Sequence, residues 1–155
     1  MDSIRLADGI YPGRVIECGT SELLSERLNS SVTFVAGTTG KIATVKLADV
    51  TGVVAVSVFA VCGTSLVGST ATIEVGTALS TAGLIALTTG TDIDANEIWH
   101  DASPDASVEL TSVLTQSIVT QDISYKVTTA ALSAGVLKFY ILWTPISNDG
   151  NVTLA

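Results

Sequence analysis

The sequence predicts an all-β fold, an antiparallel β-sandwich or a jelly-roll-like barrel, and three observations support this prediction. Threonine and valine dominate the 155 residues, with 21 and 18 copies, and side chains branched at Cβ favour strands over helices. Thirteen glycines punctuate the chain. Several segments alternate apolar and polar residues with a period of two. The length suits one domain, so we expect one sandwich.

Residues 1–29 differ from the rest and predict a less regular N-terminal arm. They contain Tyr11-Pro12-Gly13 and show no sustained alternation. One short helix is predicted in "SELLSERLN", where Ser21 is a suitable N-cap and Leu23, Leu24 and Leu28 share one face. A helix this short needs a surface to pack on. We therefore expect residues 1–29 to attach to the domain or to a neighbour, and residues 30–155 to form the sandwich.

The first predicted strands are "SVTFVAG" from Ser31 and "KIATVKLADV" from Lys41, joined by a hairpin-type turn in "AGTTGK". The next segment, "VVAVSVFAVC" from Val53 to Cys62, is apolar on both faces and predicts a central strand. A membrane-spanning helix needs about 20 predominantly apolar residues, and this run is too short.

Three later segments predict strands with defined faces. "STATIEVGT" and "DISYKVTT" alternate strictly, and "SVELTSVLTQSI" from Ser107 is a further strand candidate. "VLKFYILW" has two apolar faces, of which the first is predicted to be core and the second, interrupted only by Lys138, to meet a second sheet or a neighbouring subunit. The predicted inward residues are Ala71, Ile73, Val75, Ile123, Tyr125, Val127, Leu137, Phe139, Ile141 and Trp143.

The charge distribution excludes some partners. The net charge is −8, and residues 51–155 carry two basic residues against nine acidic ones. Nucleic acids and anionic membranes are therefore not expected as partners, because both need clustered Lys and Arg. The first residues lack the apolar stretch of a signal peptide, so export by that route is not expected. The chain has two cysteines, Cys18 and Cys62, which are far apart in the sequence, and this predicts buried free thiols. No cofactor is expected.

The stretch "TDIDANEIWHDASPD" concentrates the polar chemistry of the chain. Its Asp-x-Asp-x-Asn spacing resembles the start of an EF-hand loop, but Glu97 stands where the loop needs Gly and Ser103 where it needs Glu. An irregular calcium site formed by Asp92, Asp94, Asn96 and Asp101 stays an alternative to a plain turn. Asp94 and Glu97 also have the spacing of a capping box.

His100 beside Asp101 suggests acid–base chemistry, but adjacent side chains on an extended strand point to opposite faces. The chain has no G-x-S-x-G motif, and we do not expect an enzyme. Trp99 is the predicted surface aromatic residue, whereas Trp143 is expected in the core.

Two phrases carry a resemblance to a known class of proteins. "IEVGTALSTAGLIALTTGTDIDANEIWHDASPDASVE" and "FYILWTPISNDG", within Ile73 to Ala155, resemble small virion proteins of tailed bacteriophages. The resemblance implies a capsid decoration or cement protein, a non-enzymatic β-module, often a homotrimer, that sits on the virion surface and stiffens the shell. It also implies synthesis in the host cytoplasm, and the major capsid protein and further copies of the chain as partners.

Contact residues are predicted in the N-terminal arm, in the acidic stretch and on the second face of "VLKFYILW". The candidates are Ile10, Tyr11, Leu23, Leu24, Leu28, Trp99, His100 and Tyr140. Two other functions stay open, a tail- or fibre-associated virion β-domain and a carbohydrate- or calcium-binding β-sandwich.

Overall fold

The computed structural model describes residues 26–155, and this part of the chain forms two antiparallel sheets packed as a β-sandwich, as predicted. The strands are β1 (Glu26–Thr33), β2 (Ala43–Thr51), β3 (Val54–Val67), β4 (Thr72–Gly76), β5 (Ile85–Thr89), β6 (Ile98–Trp99), β7 (Ser117–Val119), β8 (Ile123–Thr128), β9 (Ala134–Pro145) and β10 (Asn151–Leu154). Short 3₁₀ turns occupy Gly90–Asp92 and Thr111–Val113. Within residues 26–155 no helix is long and apolar enough to cross a membrane.

Sheet A has the strand order β1-β9-β3-β6, and β7 pairs with β3 on the same side as β6. Sheet B has the order β10-β2-β8-β4-β5. The two longest strands, β3 and β9, pair from Val54 opposite Pro145 to Val67 opposite Ala134. The central position predicted for "VVAVSVFAVC" is thereby confirmed, since β3 has a strand on each side.

The core lies between the sheets and is lined by the predicted inward faces of β4, β8 and β9, all of which are buried. Aromatic rings join the two layers. Tyr125 of β8 stacks on Phe139 of β9 with ring centroids 5.8 Å apart and meets Phe34 edge-on at 5.6 Å. Its hydroxyl donates a hydrogen bond to the Thr39 carbonyl at 2.8 Å, so burial of the ring leaves no unsatisfied donor.

The start of β1 corrects the predicted N-terminal arm. Glu26–Asn29 are strand residues paired in register with β9, so the helix predicted over "SELLSERLN" is wrong for its last four residues. The boundary drawn at residue 29 falls inside β1. Pairing with a long strand outweighs the weak local helix preference. Leu28 packs against the core. Ile10, Tyr11, Leu23 and Leu24 lie outside the described residues, as does the start of the predicted helix.

Two connections also differ from prediction. The "AGTTGK" turn does not close a hairpin, because β1 belongs to sheet A and β2 to sheet B. The strand predicted from Ser107 is wrong except at Ser117–Val119, and Ser107–Gln116 is an irregular segment with one 3₁₀ turn.

Candidate functional site

The acidic stretch begins with two tight turns. After the 3₁₀ turn Gly90–Asp92, the Glu97 N–H donates to the Asp94 carbonyl at 3.1 Å, and the Asp94 N–H donates to Glu97 Oε2 at 2.6 Å. Asn96 has a φ of 78°, which Asn tolerates better than most residues. The capping-box spacing thus closes a turn and opens no helix, and it uses one of the carboxylates in doing so.

The residues of the calcium alternative are mostly exposed and partly used in turns. Asp92, Asp94 and Asn96 are exposed, and Asp101 accepts the Ser103 N–H through Oδ1 at 2.8 Å. Among residues 26–155, no group of three or more His, Cys, Asp or Glu side chains is placed to hold a metal ion. The geometry therefore gives the calcium alternative no support.

Trp99 lies in the core, so the prediction of a surface tryptophan is wrong. It pairs with Ala60 on the inward side of sheet A and is fully buried. Its Nε1–H donates to Thr88 Oγ1 of β5 at 2.8 Å, which joins the two sheets. Trp143, predicted in the core, is buried as expected.

His100 lies between two carboxylates. The chain bends after β6, so His100 and Asp101 do not diverge as on an extended strand; Nδ1 lies 3.7 Å from Asp101 Oδ2. On the other side, Nε2 lies 3.7 Å from Glu109 Oε2. Glu109 was not among the sequence candidates. The local signal for it was a charged residue standing between the apolar Val108 and Leu110.

This alternation is the reverse of the usual one. Glu109 faces the protein, whereas Val108 and Leu110 are 83% and 73% exposed. The segment therefore keeps two large apolar side chains in water and a partly buried carboxylate beside His100.

The segment Ser107–Ile118, called here the apolar segment, is fixed at both ends. Just before it, the Ala106 carbonyl accepts the Ile98 N–H at 2.9 Å. Towards its end, Ser57 Oγ donates to the Thr115 carbonyl at 3.0 Å, and β7 pairs with β3. Between these anchors it exposes three apolar side chains, Val108, Leu110 and Val113, and Ile118 of β7 is exposed at its end. A fixed row of exposed apolar side chains is typical of a contact surface.

Tyr140, the remaining described candidate, lies on the outer face of sheet A, opposite the core. Its ring stacks on Phe59 with centroids 5.0 Å apart, and Lys138 Nζ lies 5.5 Å from the Tyr140 centroid. This outer face was predicted to meet either a second sheet or a neighbouring subunit. Sheet B packs on the inward face instead, so the prediction of a second sheet here is wrong. Phe59 was not a sequence candidate, because residues 53–62 are apolar on both faces and do not reveal which face is outward.

A depression of about 410 Å³ lies on sheet B, and its lining includes Thr44, Lys46, Asp122 and Ser124. Lys46 Nζ lies 2.6 Å from Asp49 and 3.0 Å from Asp122. These hydrogen bonds, that to Asp49 first, raise the pKa of Lys46. The Val50 N–H and then Lys46 lower the pKa of Asp122. Because two carboxylates compensate the lysine, the depression is not an anion site.

Cys62 is a buried free thiol, as predicted, and Cys18 lies outside the described residues. Burial raises the pKa of Cys62 to about 11. A thiol with so high a pKa is protonated near neutral pH and is a poor nucleophile.

The described residues form a two-sheet β-sandwich that exposes the apolar segment next to the acidic stretch. Comparison with protein-family models, curated proteins and solved structures finds no match for the chain.

Proposed function

We propose that this protein is a non-enzymatic virion structural protein that binds and stabilises the capsid shell of a tailed bacteriophage, as a decoration or cement protein on the capsid surface. The resemblance of Ile73 to Ala155 to small virion proteins supports the proposal. The major capsid protein is the proposed partner. The homotrimer that the resemblance implies remains a prediction.

The observation that carries the proposal is the reversed alternation of the apolar segment. Exposing Val108 and Leu110 while Glu109 faces His100 forgoes about 1.5–3 kcal/mol of burial for each apolar side chain. A partner that covers these side chains removes them from water, and this burial stabilises the complex. A protein that stiffens a shell needs a contact surface of this kind.

The charges beside the apolar segment indicate the character of the partner. Asp101 and Asp105 precede it, Glu109 lies within it, and no Lys or Arg lies between Asp92 and Gln121. The capsid surface that accepts the segment is therefore expected to combine an apolar groove with basic residues. The association rate should be higher at low salt, because salt screens the attraction between exposed opposite charges.

Binding to shells of the phage that encodes the chain tests the proposal. Shells assembled without this protein are mixed with the purified chain and sedimented. We expect the chain to co-sediment, and the double variant Val108→Ser, Leu110→Ser to bind at least about tenfold more weakly, the equivalent of 1.4 kcal/mol. Leu79→Ser is the matched control, because Leu79 is similarly exposed but follows β4 of sheet B.

Two results would overturn the proposal: a wild-type chain that stays in the supernatant, or a double variant that binds as tightly as the control. Electron microscopy of labelled particles distinguishes the capsid from the tail. Label on the tail or fibres would favour the alternative virion domain.

A truncation tests the N-terminal contact candidates Ile10, Tyr11, Leu23 and Leu24. The chain should begin at Ser25 and keep Glu26, because β1 starts there. Loss of shell binding by this otherwise folded chain would assign the contact to residues 1–24. Undiminished binding would remove the four residues from the interface.

A further inference from the structure

We propose that two copies of the chain associate through the outer faces of sheet A, about a two-fold axis that runs along the strands. This pairing is an alternative to the homotrimer that the resemblance implies, is independent of the capsid and needs no other partner. We assign a second copy of the chain to this face because the composition, the area and the charges of the face fit a second copy.

Residues paired directly across antiparallel strands share a face, so the register defines the rows of this surface. One row runs Ser31, Lys138, Val61, Ile98, and the next runs Asn29, Tyr140, Phe59. A third row contains Arg27, Leu142 and Ser57, and Ile118 lies beyond Ala55 in the fourth. The middle of the face is thus apolar and aromatic, with each of its large side chains only partly buried.

The outer face of sheet B provides the comparison within the same molecule. Its outward positions on β2, β4 and β8 include Thr44, Thr72, Ser124 and Thr128, and Thr72 and Thr128 join their hydroxyls at 2.6 Å. This is the polar pattern of a sheet that faces water. Sheet A carries the stacked rings of Phe59 and Tyr140 on its outer face. This face is therefore better suited than the outer face of sheet B to a contact that excludes water.

The area of the face is at the lower end of the range for a stable dimer. The five strands of sheet A contain 39 residues, and at about 3.4 Å per residue and about 4.8 Å between strands they cover about 640 Å². Each partner contributes roughly 600–1,000 Å² to a standard protein interface. Two sheets of this size stack face to face in ordinary β-sandwiches.

The charges select the direction of the axis. Arg27 and Lys138 lie on the β1–β9 half of the face. Asp101, Asp105 and Glu109 lie in the chain beyond β6, at the opposite side of the sheet. A two-fold axis parallel to the strands places the basic half of each copy opposite the acidic side of the other. An axis across the strands would oppose like charges, which is unfavourable.

Sedimentation equilibrium of the full chain tests the pair. We expect a mass of twice the 15.9 kDa of one chain, and at least a tenfold weaker association for Tyr140→Lys. Thr44→Lys introduces the same charge on the outer face of sheet B and should leave the dimer intact. Lys138→Glu should weaken association as well, by removing charge complementarity. Circular dichroism of each variant verifies that it is folded.

Three results would overturn the pair: a wild-type monomer up to roughly 100 μM, a closed trimer, or equal dissociation of folded Tyr140→Lys and Thr44→Lys. A second aromatic variant guards against a local effect at Tyr140. Phe59→Lys should give the same loss, and a dimer that survives both substitutions contradicts the proposal. Because no shells are present, these outcomes are separate from those of the capsid-binding test.

Discussion

At the scale of single residues, the two tryptophans occupy similar core positions but differ in the state of their indole N–H groups. Trp99 Nε1 donates to Thr88 Oγ1 at 2.8 Å, whereas Trp143 Nε1 is buried without a hydrogen-bond partner among the described residues. A buried donor without a partner retains its full desolvation cost. The two indoles therefore contribute unequally to stability, although both rings fill core space.

We predict that Trp99→Phe lowers the free energy of unfolding by about 1–3 kcal/mol more than Trp143→Phe. The first change removes a buried hydrogen bond, and the second removes an unsatisfied donor, which offsets part of the lost packing. Urea denaturation of both variants provides the measurement. The combination of Trp99→Phe with Thr88→Val should show non-additive losses. Equal losses for the two tryptophan variants would contradict the assignment.

Two buried groups predict how stability falls at alkaline pH. Burial raises the pKa of Cys62 from 9.0 to about 11 and that of Tyr125 from 10.0 to about 12. Below about pH 9 both groups are protonated in the folded and unfolded states, so their stabilising effect is complete. As the pH rises further, the unfolded chain loses these protons first, and stability is lost through the folded pKa values.

We therefore predict that the urea midpoint declines from about pH 9 upward. Cys62→Ala should flatten the decline between about pH 9 and 11, and Tyr125→Phe the decline between about pH 10 and 12. Each variant is compared with its own midpoint at pH 8, so that its packing defect cancels. A wild-type midpoint that is constant from pH 9 to 11 would exclude this linkage.

At the scale of elements, the connection between β1 and β2 depends on one glycine more than on the other. A Cβ at Gly40 would overlap the carbonyl oxygen of Leu132, which lies in the β8–β9 connection, and the Leu132 N–H donates to the Gly40 carbonyl at 2.8 Å. Gly37, three residues earlier in the same turn, has no atom within 4 Å of such a Cβ. Among residues 26–155, Gly40 thus joins this turn to the β8–β9 connection.

We predict that Gly40→Ala costs about 2–4 kcal/mol of unfolding free energy, because backbone has to move to admit the methyl group. Gly37→Ala should change it by less than about 1 kcal/mol and serves as the control, since the same substitution reduces the entropy of the unfolded chain in both variants. Thermal and urea unfolding of the two variants measure the difference. A similar cost at both positions would show that the contact with Leu132 is not tight.

The elements also show what local sequence determines. Alternation identified β4, β8 and β9 with their inward faces, because burial on one side of a sheet is written directly into a two-residue period. It failed at β1, where pairing with a strand over 100 residues later outweighs a helix-like cluster of leucines. It also failed at Ser107–Gln116, where the same alternation lies on an irregular segment that faces solvent.

The candidate site was predictable only in part, for the same physical reason. The acidic stretch stood out by composition, and Tyr140 by its place on a second apolar face. The burial of Trp99 and the stack of Phe59 on Tyr140 depend on residues brought together from different strands, and the contact of Glu109 with His100 depends on how an irregular segment folds back on the chain after β6. No short-range pattern encodes those pairings.

At the scale of the whole molecule, the topology makes each sheet depend on both ends of the chain. In sheet A, Glu26 pairs with Trp143, and in sheet B, Thr51 pairs with Asn151. The two central strands, β3 and β9, are themselves separated by most of the domain. Such long-range pairing predicts slow folding, in the range of milliseconds to seconds, and one cooperative transition.

We predict that the fragment 26–105 does not fold. It retains β1 to β6 but lacks β8 and β9, so β1 and β2 lose every strand that pairs with them, and only the β3–β6 and β4–β5 pairs remain. Circular dichroism should show a disordered fragment, whereas the full chain should lose tryptophan fluorescence and far-ultraviolet signal at the same denaturant concentration. The fragment 106–155, with β7 to β10, is the complementary control, and mixing the two should restore strand signal. A folded 26–105 fragment, or two separate transitions in the full chain, would show that a sheet forms without the strands from the other half.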